Sequence, residues 1–174
     1  MSRKPAKQLI PLLMMIFTVA GFVGFIYEEI CGFINEGHFF KRGTTFGPWI
    51  PIYGFGALLI FVLTIKVRKK PLLVFLIAAV ACGLLELASG YVIDIYFHKR
   101  LWNYSNVILN WGHVNGYICV RSVVTWGLFG MLLMLGILPL LEKFQNRLPK
   151  AFNIVTIALF GLFVLDIVLS FTIK

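Results

Sequence analysis

Residues 72–97 read LLVFLIAAVACGLLELASGYVIDIYF. At a helical rise of about 1.5 Å per residue, this run is longer than the roughly 30 Å of hydrocarbon in a bilayer, so it reads as a membrane-spanning helix. The helical period sets Glu86, Gly90 and Asp94 four residues apart on one face, with a small residue between two carboxylates. A charge at the centre of a span costs about 2.5–3.5 kcal/mol on insertion scales. Each such group therefore needs a partner, a water-filled cavity or a function.

The same apolar character extends in both directions. Of the 174 residues, 60% are apolar and 13% charged, against about 45–50% and about 25% in soluble domains. This balance, with 17 Phe, 4 Trp and 6 Tyr, excludes an ordinary soluble domain and a disordered chain. Apolar runs place helices at about 9–34, 52–65, 72–97, 114–141 and 151–173. Between the first two, residues 35–53 read NEGHFFKRGTTFGPWIPIY. Charges, glycines and two prolines exclude a continuous lipid-facing helix there and predict a structured or re-entrant outer loop. The expected fold is an all-α integral membrane protein, a five-helix bundle forming one domain over 1–174.

The net charge of +9 follows loop position. Ten Lys and Arg fall before helix one, between helices two and three, and between four and five. Five fall on the other side, and Arg121 lies within helix four. This asymmetry predicts a cytoplasmic N-terminus in a multi-pass protein of the cell membrane. It also accounts for the basic residues without a nucleic-acid partner. Cys31, Cys82 and Cys119 have neither CxxC spacing nor an even count, and read as small apolar packing groups.

Among the charged residues within predicted spans three stand out: Glu86, Arg121 and Asp166. Glu86 and Arg121 fall at similar depth in the outer half of the membrane, which predicts an ion pair between neighbouring helices. Helix four carries a polar stripe of Asn115, Cys119, Ser122 and Trp126, and Gly127 and Gly130 allow a close helix approach. Asp166 has Ser170 as the one polar residue on its own face and reads as a buried, hydrogen-bonded or protonated acid. His38, His98 and His113 lack ligand spacing, so no metal site is expected. The aromatics Trp49, Tyr53, Trp102, Tyr104, Trp111 and Tyr117 gather in the outer loops as an interfacial belt. Above several carboxylates they are also suited to caging an organic cation.

Three stretches carry a resemblance: Gly24-Phe25-Ile26-Tyr27-Glu28; Arg42-Gly43 with Gly47-Pro48 and Pro51-Ile52-Tyr53-Gly54; and Leu101-Trp102-Asn103-Tyr104-Ser105. Together with Glu86 and Gly90, Asn110 and Gly116, and Ser122 with Trp126-Gly127, they resemble the family named putative ABC-transporter permease, type IV, over roughly residues 21–139. The family pattern W-D-Y-S reads Trp102-Asn103-Tyr104-Ser105 here, and Asp94 stands where many members have Glu. The resemblance implies a membrane permease. The chain has no G-x4-GK[ST] phosphate loop, so ATP hydrolysis would require a separate ATPase subunit.

The leading expectation is a small transporter or permease component with an outward-facing, acid- and aromatic-lined pocket for a small polar or cationic solute. Its expected binding residues are Glu28, Arg42, Tyr53, Glu86, Asp94, Trp102, Tyr104, Asn110, Arg121 and Trp126. Glu86 would carry the proton or cation, and the loop from Arg42 to Tyr53 would close the pocket. The alternatives are an intramembrane enzyme acting on a lipid headgroup or lipid-linked substrate, or an accessory membrane subunit. No nucleophile constellation supports the enzyme, and no catalytic residue or cofactor is assigned. The bilayer is the expected environment, and glycine-rich faces on helices one and four suggest a homodimer.

Overall fold

A computed structural model describes residues 6–39, 41 and 43–173. Among these residues six α-helices run in order: α1 (Ala6–Glu36), α2 (Pro51–Thr64), α3 (Pro71–Phe97), α4 (Val120–Met131), α5 (Leu138–Arg147) and α6 (Pro149–Thr172). Among the described residues there is no strand, and Val114 and Ile118 form an isolated antiparallel bridge. Proline opens α2, α3 and α6, where its missing N–H costs nothing and its fixed φ suits the first helical turn.

Four helices are long and apolar enough to cross a membrane: Lys7–Glu36, Pro71–Phe97, Val120–Arg147 and Pro149–Thr172. The expected fifth span differs. α2 has 14 residues and, even with its 3-10 turn Ile65–Val67, stays below the length of the other four. Its α-helical part covers about 21 Å, short of the roughly 30 Å of hydrocarbon.

The helix expected over 114–141 is also displaced. It starts at Val120, with Cys119 as N-cap, and continues through a π-helical segment, Leu132–Ile137, into α5 as far as Arg147. Residues 114–118 turn back on themselves instead, with Asn115 at φ 49° and Gly116 at φ 75°. Asn-Gly is the dipeptide that such a tight turn favours, because both residues tolerate positive φ. The π-segment ends two residues before Pro139, which has no N–H to give and whose ring crowds the carbonyl four residues back, at Leu135 within that segment, so the helix widens there.

The chain divides into two compact units. In the first, residues up to Leu58 join α5 and α6, and α1 packs on both of those helices. Its core includes Leu12, Ile16, Leu138 and Phe152, all at most 1% exposed. The Phe17 ring meets those of Phe55 and Phe163, each at 5.1 Å between centroids. Gln145 Nε2 donates to the Gln8 carbonyl over 2.7 Å, satisfying a buried amide.

The second unit, Leu59–Gly136, is built on α3 against α4. A Cβ at Gly127 would lie 2.5 Å from the Phe75 ring, and one at Gly130 would overlap the Ala78 methyl. These glycines let the two helices approach closely, as small residues do in membrane bundles. In the first unit, Gly21 faces Trp49 and Gly24 faces the Tyr53 ring. Gly21, Gly24, Gly127 and Gly130 thus each face a side chain of the same chain.

Candidate functional site

In the second unit the segment 98–119 folds over the polar face of α3. Tyr104 N–H donates to the Gly116 carbonyl and Trp102 Nε1 to the Tyr117 carbonyl, each over 2.8 Å. Asn103 Oδ1 accepts from Ser105 N–H at 2.9 Å and caps the short turn Tyr104–Asn106. An aspartate carboxylate can accept the same bond, so the departure from W-D-Y-S keeps this local role. Asn110 Nδ2 donates to the Ser105 carbonyl at 2.5 Å. Trp102 and Asn110, both expected to bind solute, thus shape the segment.

This scaffold delivers two tyrosines to the two carboxylates of α3. Tyr104 Oη donates to Glu86 Oε1 over 2.7 Å, and Tyr117 Oη donates to Asp94 Oδ2. Glu86 is 6% exposed. Gly90, between the two acids, makes room for the Tyr117 ring: a Cβ there would lie 2.8 Å from its Cδ1. Tyr91 packs on Tyr117 at 4.4 Å between centroids, and the Arg100 guanidinium lies 4.7 Å from the Tyr117 centroid. Arg100 also donates to the Asn115 carbonyl, whose own side chain reaches Tyr91 Oη over 2.7 Å. The hydrogen bond to Asp94, with burial, raises the Tyr117 pKa above its usual value of 10.0.

Arg121 was expected inside helix four as the ion-pair partner of Glu86. It lies in the first turn of α4, and Tyr104 meets both groups. The Arg121 guanidinium carbon is 5.8 Å from the Tyr104 centroid, and its Nη1 donates to the Ile108 carbonyl at 2.9 Å. Helix four begins six residues later than expected, which moves Arg121 toward the helix end. Asn115 and Cys119 leave the expected helical stripe for the same reason. Trp126 is buried at 4% exposure beside Phe129.

The first unit repeats the pairing of acid with tyrosine: Tyr53 Oη donates to Glu28 Oε1 over 2.6 Å. Arg42 lies outside the described residues. The other nine expected residues divide, with Glu28 and Tyr53 in the first unit and Glu86, Asp94, Trp102, Tyr104, Asn110, Arg121 and Trp126 in the second.

Asp166 has a definite task within the first unit. Its Oδ1 accepts from Gly47 N–H at 2.8 Å, and Ser170 Oγ accepts from Phe46 N–H at 2.8 Å. Thr45 Oγ1 donates to the Trp49 carbonyl at 2.8 Å, and Ile50 N–H donates to the Gly21 carbonyl at 3.2 Å. These bonds fasten the loop before α2 to α1 and α6. Ser170 at i+4 was the sequence signal for this contact; the loop partner had none.

Tyr117 and Arg100 are missing from the expected site although both belong to it. The signal was an aromatic within the outer cluster and a cation three residues beyond the helix end. His98, at φ 49°, caps the C-terminus of α3, its N–H meeting the Asp94 carbonyl at 3.1 Å.

The family model described as Putative ABC-transporter type IV matches residues 15–171, and the chain belongs to that family. No curated protein and no solved structure matches the chain. Family and helices together identify a transporter-like, multi-pass membrane protein.

Proposed function

We propose that this member of the family is a small transporter or permease component whose solute-binding and proton-carrying group is Glu86, assisted by Tyr104, Arg121, Asp94 and Tyr117. The observation that carries this reading is the buried Glu86 carboxylate, held by the Tyr104 hydroxyl on the α3 face it shares with Asp94. A carboxylate in a span is costly and is retained where it pairs or lies on a solute or proton path. The tyrosine hydroxyl can donate to the carboxylate and can turn to accept when that group takes up a proton or cation. Aromatic faces over two acids suit a small polar or cationic solute. The N-terminus is cytoplasmic and the membrane is that of the cell, on the Lys and Arg asymmetry. Any ATP hydrolysis belongs to a separate subunit.

Proteoliposomes test this with tetramethylammonium, ethanolamine and labelled amino acids as probes and an internal pH dye. The native chain moves at least one probe, and Glu86→Gln lowers the rate about tenfold or more, equivalent to about 1.4 kcal/mol in the barrier. A Glu86→Gln protein that transports normally ends the proposal. Stoichiometric recovery of an ATPase from native membrane in mild detergent would make the chain the membrane subunit of an ABC system.

A further inference from the structure

The first unit holds a groove of about 420 Å³, distinct from the acid–tyrosine cluster on α3. It is open and lined by Phe25, Glu29, Phe39, Lys41, Phe46 and the Gly47-Pro48 backbone. The volume falls in the range of small-ligand sites, about 300–1,000 Å³. Its walls are held in place: Phe39 stacks on Phe33 at 4.6 Å between centroids, and Gly47 is tied to Asp166. Lys41 Nζ lies 5.2 Å from the Phe46 centroid, which keeps the ammonium at the groove.

Depth along α1 indicates what the groove meets. Glu29 is 20 residues beyond Leu9, where the apolar run starts, which is about 30 Å and equals the hydrocarbon thickness. The groove therefore opens at the level of lipid headgroups, at the end of α1 away from the N-terminus. Phe22 and Ile26, one turn closer to the bilayer centre than Phe25 and Glu29, are 44% and 43% exposed. An apolar strip thus continues from the groove into the hydrocarbon.

We propose that the groove binds a phospholipid whose headgroup carries both a phosphate and an ammonium. Lys41 receives the phosphate as a point charge. Glu29 and the faces of Phe25 and Phe39 receive the ammonium, and one acyl chain lies along Phe22 and Ile26. The inference stands on first-unit residues and does not rest on the transport reading.

Native mass spectrometry of the purified full chain tests it, with dioleoyl phosphatidylethanolamine and dioleoyl phosphatidylglycerol added in equal amounts. The expected result is about tenfold tighter retention of the ethanolamine lipid, the loss of that preference in Glu29→Gln, and about tenfold weaker retention of both lipids in Lys41→Ala. Lys41→Arg restores binding. Lys41 is an exposed loop residue, so its substitution leaves the fold intact and is the deciding variant. Equal retention of the two lipids, or unchanged retention in Lys41→Ala, overturns the proposal. Displacement of the lipid by equimolar water-soluble phosphoethanolamine also overturns it, by making the occupant a free solute.

Discussion

Tyr104 joins Glu86 to Arg121: its hydroxyl donates to the carboxylate over 2.7 Å while its ring lies 5.8 Å from the guanidinium carbon. One side chain thus serves a buried acid with its polar end and a cation with its face. Tyr104→Phe separates these two roles, because it keeps the ring and removes the donor. The expected cost is about 1–2 kcal/mol in equilibrium unfolding, the range for a hydrogen bond between membrane-embedded groups. Tyr104→Ala costs more, through lost packing. In a double-mutant cycle with Glu86→Gln, a coupling of zero would remove Tyr104 from the site.

Gly90 is the position at which the smallest added group does the most damage. A Cβ would lie 2.8 Å from a Tyr117 ring that is held by Asp94 and packed on Tyr91. Gly90→Ala forces the segment 98–119 away from α3, at about 1–3 kcal/mol for overpacking. Limited trypsin digestion should then cut at Lys99 and Arg100 faster than in the native chain. Unchanged cleavage would mean that the segment absorbs the methyl group without shifting.

Alkali should loosen the same segment. Tyr117 gives its proton to the bond with Asp94, and its pKa is raised above 10.0 in the folded chain. The bonded form is the protonated one, so the stabilisation is fully present below pH about 10 and is lost as the pH climbs through the raised value. Ultraviolet titration should show the Tyr117 step ionising late, together with the onset of cleavage at Arg100. Tyr117→Phe removes that late step.

Loop attachment in the first unit depends on Asp166, whose Oδ1 accepts from the Gly47 amide at 2.8 Å. Asp166→Ala leaves the Gly47 amide without its acceptor, at about 1–3 kcal/mol. Asp166→Asn keeps an acceptor at the same place and costs little. Gly47→Ala is worse than either change at Asp166, because a Cβ would stand 2.6 Å from the Trp49 ring and 2.9 Å from Asp166 Oδ2. Thermal unfolding in detergent should rank the variants Asn, then Ala at 166, with Ala at 47 among the least stable.

Much of the architecture was legible in the residues alone. Long apolar runs specify spanning helices because insertion depends on the hydropathy summed over about 20 neighbours, a quantity that needs no knowledge of tertiary contacts. The face shared by Glu86, Gly90 and Asp94 is equally local, since it follows from 3.6 residues per turn. Helix ends were less legible: an apolar count carried helix four back to Val114, while the Asn115-Gly116 turn delayed its start to Val120.

Tertiary structure alone decided which groups meet. Glu86 and Tyr104 are 18 residues apart, Glu28 and Tyr53 are 25 apart, and Gly47 and Asp166 are 119 apart. Charge and depth suggested Arg121 as the partner of Glu86; the path of the segment 98–119 brings Tyr104 to both groups. Hydropathy and helical period are properties of neighbours along the chain, so the sequence determines where helices run and which residues share a face. A hydrogen bond forms across a few ångströms of space, so its partners are set by the path of the connecting segments, which local periodicity does not encode.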